Sequence, residues 1–250
     1  RDARFKLPLY IPSMTRPIDD RINMLNWNGV AEDLDARGWA RLPALLTREE
    51  CRDTARLYAL PKIFRSHVVM GRHGYGSGEY RYFAYPLPGL VEHLRSALYP
   101  RLAPIANRWS ERMNLETRFP ADHAAFLERC HMDGQVRPTP LILQYGKGDY
   151  NCLHQDLYGA HVFPLQAAIL LSDPHGDFAG GEFVLTEQRP RMQSRVEVVP
   201  LEQGDAVIFA VNARPQTGTR GDYKVTMRHG VSLVREGHRH TLGIIFHDAA

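Results

Sequence analysis

His154 and Asp156 stand two residues apart in the run Tyr-Asn-Cys-Leu-His-Gln-Asp at 150–156. His229 lies far downstream, and Arg239 follows ten residues after it. Two histidines and one carboxylate can hold Fe(II) on one face and leave the other open to a cosubstrate and O2. An arginine beside such a centre can grip an acidic cosubstrate by two parallel hydrogen bonds. Taken alone, His-x-Asp also fits a hydrogen-bonded surface pair, and Arg239 a surface residue of a final strand. Together the four side chains point to an oxygenase.

Strand geometry has to bring them together. Residues two apart on a strand face the same side, so His154 and Asp156 converge if their segment is extended, with Gln155 turned away. Val225 to Val234 and His238 to Phe246 flank a compact turn, Arg235-Glu-Gly237. Antiparallel pairing about Glu236 predicts residue 229 opposite 243 and residue 233 opposite 239. His229, Val231, Leu233, Arg239, Thr241 and Gly243 then share one face. Gly243 leaves room opposite His229.

The rest of the chain supplies a frame. Residues 1–27 read as a poorly periodic arm with Pro8, Pro12 and Pro17. Val30 to Arg37 predicts a short helix ending near Gly38. Thr47-Arg-Glu-Glu50 is a capping-box pattern opening a helix that runs to about Ala59, before Pro61. Glu92 to Met113 is amphipathic, with Pro100 and Pro104 expected to start or kink a segment. Pro120 to Cys130 predicts another helix. After Pro138 the period becomes strand-like, with candidates at 140–145, 162–171, 182–186, 194–199, 205–210, 225–234 and 240–247. Short strands joined by glycine-rich turns favour a barrel or sandwich over βαβ units. The division is residues 1–137 for the arm and supporting helices, and 138–250 for a β core, packed as one integrated domain.

Bulk properties exclude little. The chain has 250 residues and a formal charge of +3, with a pI of about 8.8. That mild excess permits a nucleic-acid partner without requiring one. No apolar run reaches bilayer length, so no membrane partner is expected. Cys51, Cys130 and Cys152 are too few and too widely spaced for a disulfide framework or a zinc knuckle. The polar opening residues show no signal-peptide pattern, and a cytoplasmic location is expected.

The motifs resemble a known superfamily. His-x-Asp, a distal His and Arg-x-Thr resemble the 2-oxoglutarate- and Fe(II)-dependent dioxygenases. Leu-Gln-Tyr-Gly-Lys-Gly-Asp-Tyr-Asn-Cys-Leu-His-Gln-Asp at 143–156, Gly-Gly-Glu at 180–182, Gln-Gly-Asp-Ala-Val-Ile-Phe at 203–209 and Arg-His-Gly-Val-Ser at 228–232 resemble a bacterial branch associated with oxidative repair of damaged DNA. The resemblance implies an α+β, mainly β fold: a double-stranded β-helix (a cupin-like jelly roll) with N-terminal buttressing helices. It implies His154, Asp156 and His229 as iron ligands. Arg239 would grip the distal carboxylate of 2-oxoglutarate, and Thr241 would add a hydroxyl. Tyr145 resembles the tyrosine that holds the cosubstrate in base-dealkylating members, and it equally fits a core aromatic. Leu143, on the same face, would give an apolar wall. One feature departs from the dealkylases: Arg239 follows His229 by ten residues, and no second arginine comes after it. That spacing is closer to the prolyl-hydroxylase-like and small-molecule members.

Two stretches carry residue types suited to a substrate. Residues 72–83 combine glycines, aromatics and cations. Tyr75, Tyr80 and Tyr82 could stack a flipped base while Arg81 contacts phosphate. The alternative is a short strand and turn packed on the sheet. Arg214 and Arg220 suggest a second rim. The expected partner is alkylated DNA, single-stranded or with a flipped base. The alternatives are a protein or small-molecule substrate hydroxylated on carbon, and a non-catalytic jelly-roll binding protein. No obligate protein partner is inferred.

Overall fold

The structure, a computed structural model, describes residues 16–250. Residues 1–15 of the expected arm lie outside the described residues. In chain order the elements begin with α1 (Ile18–Asn23), α2 (Trp27–Arg37), β1 (Trp39–Leu42) and α3 (Arg48–Arg56). β2 (Phe64–Val69), β3 (Gly76–Ser77), β4 (Glu79–Phe83), α4 (Gly89–Arg112) and α5 (His123–Met132) follow. Then come β5 (Leu141–Tyr145), β6 (Tyr150–His154), β7 (Leu165–Leu170), β8 (Phe178–Gly180), β9 (Phe183–Gln188) and β10 (Arg195–Val199). The last are β11 (Ala206–Ala210), β12 (Ala213–Gly218), β13 (Gly221–Val231), β14 (Val234–Gly237) and β15 (Arg239–Ile244).

Local chemistry accounts for the helix ends. The Asn26 side chain accepts the Gly29 amide at the start of α2, and Gly38 ends it at φ +78°, a backbone state that suits glycine. Thr47 and Glu50 close the expected capping box on α3. Such a cap stabilises a helix by about 1 kcal/mol. The helix α4 begins at Gly89 and runs through both Pro100 and Pro104, so neither proline starts a separate segment. Its buried face, including Val91, Leu94, Leu98, Leu102, Ile105 and Trp109, recurs at helical spacing and keeps it on the core.

Two antiparallel sheets face each other. One has the order β1-β11-β7-β15-β5-β4-β2, the other β10-β9-β13-β6-β3 with β12 beside β13. Alternation on the larger sheet separates two layers. Ile142, Ile169, Ile208, Leu242 and Ile244 join the main core with the helices. Leu141, Leu143, Tyr145, Ala168, Phe209 and Thr241 turn inward and line a cavity between the sheets. This is the expected double-stranded β-helix, with helices covering its outer face.

The expected hairpin of 225–234 with 238–246 does not form. β13 pairs with β6, β9 and β12, whereas β15 pairs with β5 and β7. Between them β14 pairs separately with β8, so the chain crosses from one sheet to the other. His229 and Arg239 therefore meet across the cavity rather than along one hairpin face. Leu233, expected on that face, is 51% exposed.

Candidate metal centre and cavity

β6 ends at His154, whose cross-strand partner on β13 is His229. Their ring centroids lie 4.2 Å apart. Asp156 sits two residues beyond β6 and completes the cluster. Its Oδ1 is 3.5 Å from His154 Nε2, and its Oδ2 is 3.4 Å from His229 Nε2. One donor atom from each residue lies within 4.8 Å of the others. Among the described residues this is the one such His, Cys, Asp and Glu grouping.

The local electrostatics suit a cation. His154 Nδ1 lies 2.8 Å from the Cys152 carbonyl oxygen, which can only accept. The neutral ring therefore carries its proton on Nδ1 and turns Nε2 to the cluster; there, against burial, the Asp156 carboxylate raises the imidazole, a place a metal cation can take. Burial alone would raise the Asp156 carboxyl. The flanking His154 and His229 outweigh it and hold the group well below the usual carboxylate range. Burial and the neighbouring His154 lower the His229 imidazole, favouring the neutral form a metal needs. Two nitrogens and one ionised carboxylate, converging beside a cavity of about 350 Å³, fit a divalent ion with an open side.

Arg239 lies farther along the same cavity and is 2% exposed. It sits opposite Tyr145 in the β5–β15 register and donates to Thr241 Oγ1 at 2.5 Å. Its guanidinium lies over the Tyr145 and Phe178 rings. Burial lowers it to about 10, so it stays charged at neutral pH. Among the described residues no carboxylate pairs with it, and its Nε has no partner. Tyr145 is fully buried, and its hydroxyl accepts a bond from Asn151 Nδ2 at 3.3 Å. Leu143 and Thr241 line the wall beside it.

The expected substrate residues divide. Tyr75, Tyr80 and Tyr82 line the cavity, with Tyr75 half-exposed beside Gly74. Residues 76–77 and 79–83 are strands, so most of the segment packs as the alternative reading held. Arg81 falls on the opposite face of β4 by strand alternation. It stacks over Tyr58 and donates to the Tyr58 carbonyl at 2.9 Å, away from the cavity. Arg214 is not at a rim. It is fully buried, ion-paired with Glu187 and bonded to the Asp35 carbonyl. Arg220 is exposed beside the β12–β13 turn and does not line the cavity.

Two polar residues that sequence reasoning missed line the same cavity. Gln166 is 5% exposed, and its Oε1 has no partner among the described residues. Its signal was its isolation: it is the one polar residue of Leu-Gln-Ala-Ala-Ile-Leu in β7. Tyr158 donates its hydroxyl to Asp156 Oδ1 at 2.8 Å. It follows Asp156 by two, the same spacing that singled out His154.

A family model described as "Oxygenase, catalysing oxidative methylation of damaged DNA" (Oxygenase-NA) matches residues 78–249. The chain belongs to the Oxygenase-NA family. The match spans β4 to β15 and so contains the three clustered residues and Arg239. An uncharacterized protein of Mycobacterium tuberculosis (strain H37Rv) is 49% identical to this oxygenase over 168 residues, covering 67% of this chain and 72% of that protein. A Pseudomonas putida prolyl-4-hydroxylase superposes with a TM-score of 0.51 at 14% identity, over 87% of this chain and 96% of its own. A Burkholderia pseudomallei oxidoreductase of the 2OG-Fe(II) oxygenase family gives 0.50 at 18%, over 91% and 94%. At such identities the likeness is one of fold. The Oxygenase-NA chain is an oxygenase on the double-stranded β-helix shared with 2-oxoglutarate- and Fe(II)-dependent enzymes. No described helix is long and apolar enough to cross a membrane.

Proposed function

We propose that this oxygenase uses Fe(II), 2-oxoglutarate and O2 to oxidise a methyl group on a damaged DNA base. One observation carries the reading. The converging His154, Asp156 and His229 share a cavity with a buried arginine that has no anionic partner among the described residues. A dicarboxylic cosubstrate answers both ends, with one end at a metal and a free carboxylate for Arg239.

His154, Asp156 and His229 would hold the iron, which with 2-oxoglutarate and O2 supplies the oxidising chemistry that hydroxylates a C–H bond. Arg239 takes the distal carboxylate through its planar fork, a geometry lysine lacks. Thr241 orients that fork and can itself donate to the carboxylate. Leu143 and Tyr145 wall the cosubstrate from water, which keeps those charge pairs strong. Tyr75 and Tyr80 offer flat faces to a base drawn out of its stack. Gln166 offers an acceptor to an N–H of that base. A hydroxylated N-methyl group then breaks its C–N bond, giving formaldehyde and restoring the base N–H.

A second reading has an observation of its own. Tyr75 and Leu153 line the cavity and are exposed, with exposed Leu157 close by in sequence, and Arg239 is the one arginine or lysine lining the cavity. Such a mouth suits a peptide or metabolite hydroxylated on carbon. The test is anaerobically prepared Fe(II) protein supplied with 2-oxoglutarate, O2 and methylated single-stranded DNA. Stimulated release of both succinate and formaldehyde supports base demethylation. A hydroxylated product from peptides or metabolites, with no response to any methylated oligonucleotide, supports the second reading.

A further inference from the structure

Asp156 lies past the end of β6, where residues 155–164 have no regular strand or helix. No ladder fixes its carboxylate. Tyr158 does so by donating to Oδ1 at 2.8 Å. Tyr82, on β4 of the opposite sheet, donates in turn to the Tyr158 hydroxyl at 3.0 Å. Their rings meet edge to face, with centroids 6.3 Å apart. The Tyr158 carbonyl is held separately by Gln135 Nε2 at 3.1 Å. Both oxygens border the cluster, Oδ1 at 3.5 Å from His154 Nε2 and Oδ2 at 3.4 Å from His229 Nε2, and among the described residues only Oδ1 takes a hydroxyl hydrogen bond.

We propose that Tyr158, braced by Tyr82, is a positioning residue that occupies Asp156 Oδ1 and leaves Oδ2 as the oxygen offered to the metal. This rests on the metal reading above. A carboxylate free to turn can present both oxygens to a cation and take a position that the cosubstrate or O2 needs. With Oδ1 bonded to a phenol, Asp156 contributes one oxygen, and the open side stays open. The chain also ties the metal ligand to β4, the strand that carries Tyr80 and Tyr82 into the cavity.

The test compares the wild-type chain with Tyr158→Phe and Tyr82→Phe, each metal-free and titrated anaerobically with Co(II). Both substitutions keep the ring and its packing. Removing a group that orients a metal ligand costs on the order of ten- to a hundredfold in metal affinity. Tyr158→Phe is expected to show that loss, together with altered visible absorption of the bound Co(II). Tyr82→Phe is expected to move both readouts the same way by less, with little change in melting temperature. Wild-type affinity and an unaltered spectrum in Tyr158→Phe overturn the proposal while the metal reading stands. Should Tyr158→Phe fail to fold, wild-type behaviour in Tyr82→Phe overturns it. A wild type that binds no Co(II) overturns the metal reading and this proposal with it.

Discussion

His229 and His154 are direct cross-strand partners, so the register of β13 on β6 is what sets their rings 4.2 Å apart. A slip of one residue would turn His229 to the other face of its sheet. Gly230 sits within the irregular step between His229 and Val231. A Cβ at Gly230 would lie 2.6 Å from the Asn151 carbonyl oxygen, so the two backbones approach more closely than a side chain allows.

Gly230→Ala is therefore expected to push β6 from β13 and weaken Fe(II) binding. Overpacking of this kind costs about 1–3 kcal/mol. Anaerobic Fe(II) titration reads the effect, with Gly89→Ala as control because a Cβ there meets nothing within 4 Å. Equal affinities in the two variants would separate the register from the metal site. His154→Ala, Asp156→Ala and His229→Ala should each abolish iron-dependent turnover of 2-oxoglutarate.

Arg239 is a buried charge without an anionic partner among the described residues, which costs stability until a ligand supplies the anion. Arg239→Met should melt a few degrees higher than the wild type without ligand. Added 2-oxoglutarate should raise the melting temperature of the wild type and leave that of Arg239→Met unmoved. Arg239→Lys should keep part of the response, with a raised KM for 2-oxoglutarate. Thermal shifts and steady-state kinetics check both.

His123 gives the fold an acid limit away from the cavity. Burial lowers its imidazole from 6.5 to about 4, and its Nε2 lies 2.8 Å from the Phe246 carbonyl oxygen. The unfolded chain takes up a proton near pH 6.5, while the folded chain resists until about pH 4. Stability from this group is thus complete above pH 6.5 and declines as pH falls through that window, by roughly 3 kcal/mol in all. Denaturant melts between pH 7 and 4 should show the slope, and His123→Phe should flatten it. An unchanged slope in that variant would assign the decline to other groups.

Gln166 buries an acceptor with no partner among the described residues, which costs about 1–3 kcal/mol. Gln166→Leu should raise the melting temperature of the ligand-free protein. Once a substrate is found, it should raise the substrate KM while the KM for 2-oxoglutarate stays near wild type. A change confined to 2-oxoglutarate would move Gln166 to the cosubstrate end.

Particular elements show where sequence reading succeeds. Thr47 and Glu50 form their capping box, and Gly38 ends α2, because these are contacts between near neighbours. The strand run after 138 was visible because alternation is written residue by residue. β1, β2, β8 and β12 were missed, and β6 was expected only on the condition that the segment at His154 is extended. β1 has four residues, no residue of β2 is fully buried, and β6 is largely exposed, so each lacks either the length or the buried face that marks a strand. Arg81 and Arg214 were assigned from charge alone. The face of β4 and the Glu187 partner, distant in sequence, decided otherwise.

The chain itself determined the residue types, the two-residue step from His154 to Asp156 and the inward alternation of β15, since each is a matter of local period. It also placed His229 and Arg239 in one cavity, though by way of a hairpin that does not exist. Only the folded molecule decided that the two stand on opposite sheets, that Tyr82 reaches Asp156 through Tyr158, and that Gln166 keeps an acceptor free. Those relations depend on which distant strands pair. Pairing is chosen by the packing of whole faces, a sum over many side chains that no local spacing records.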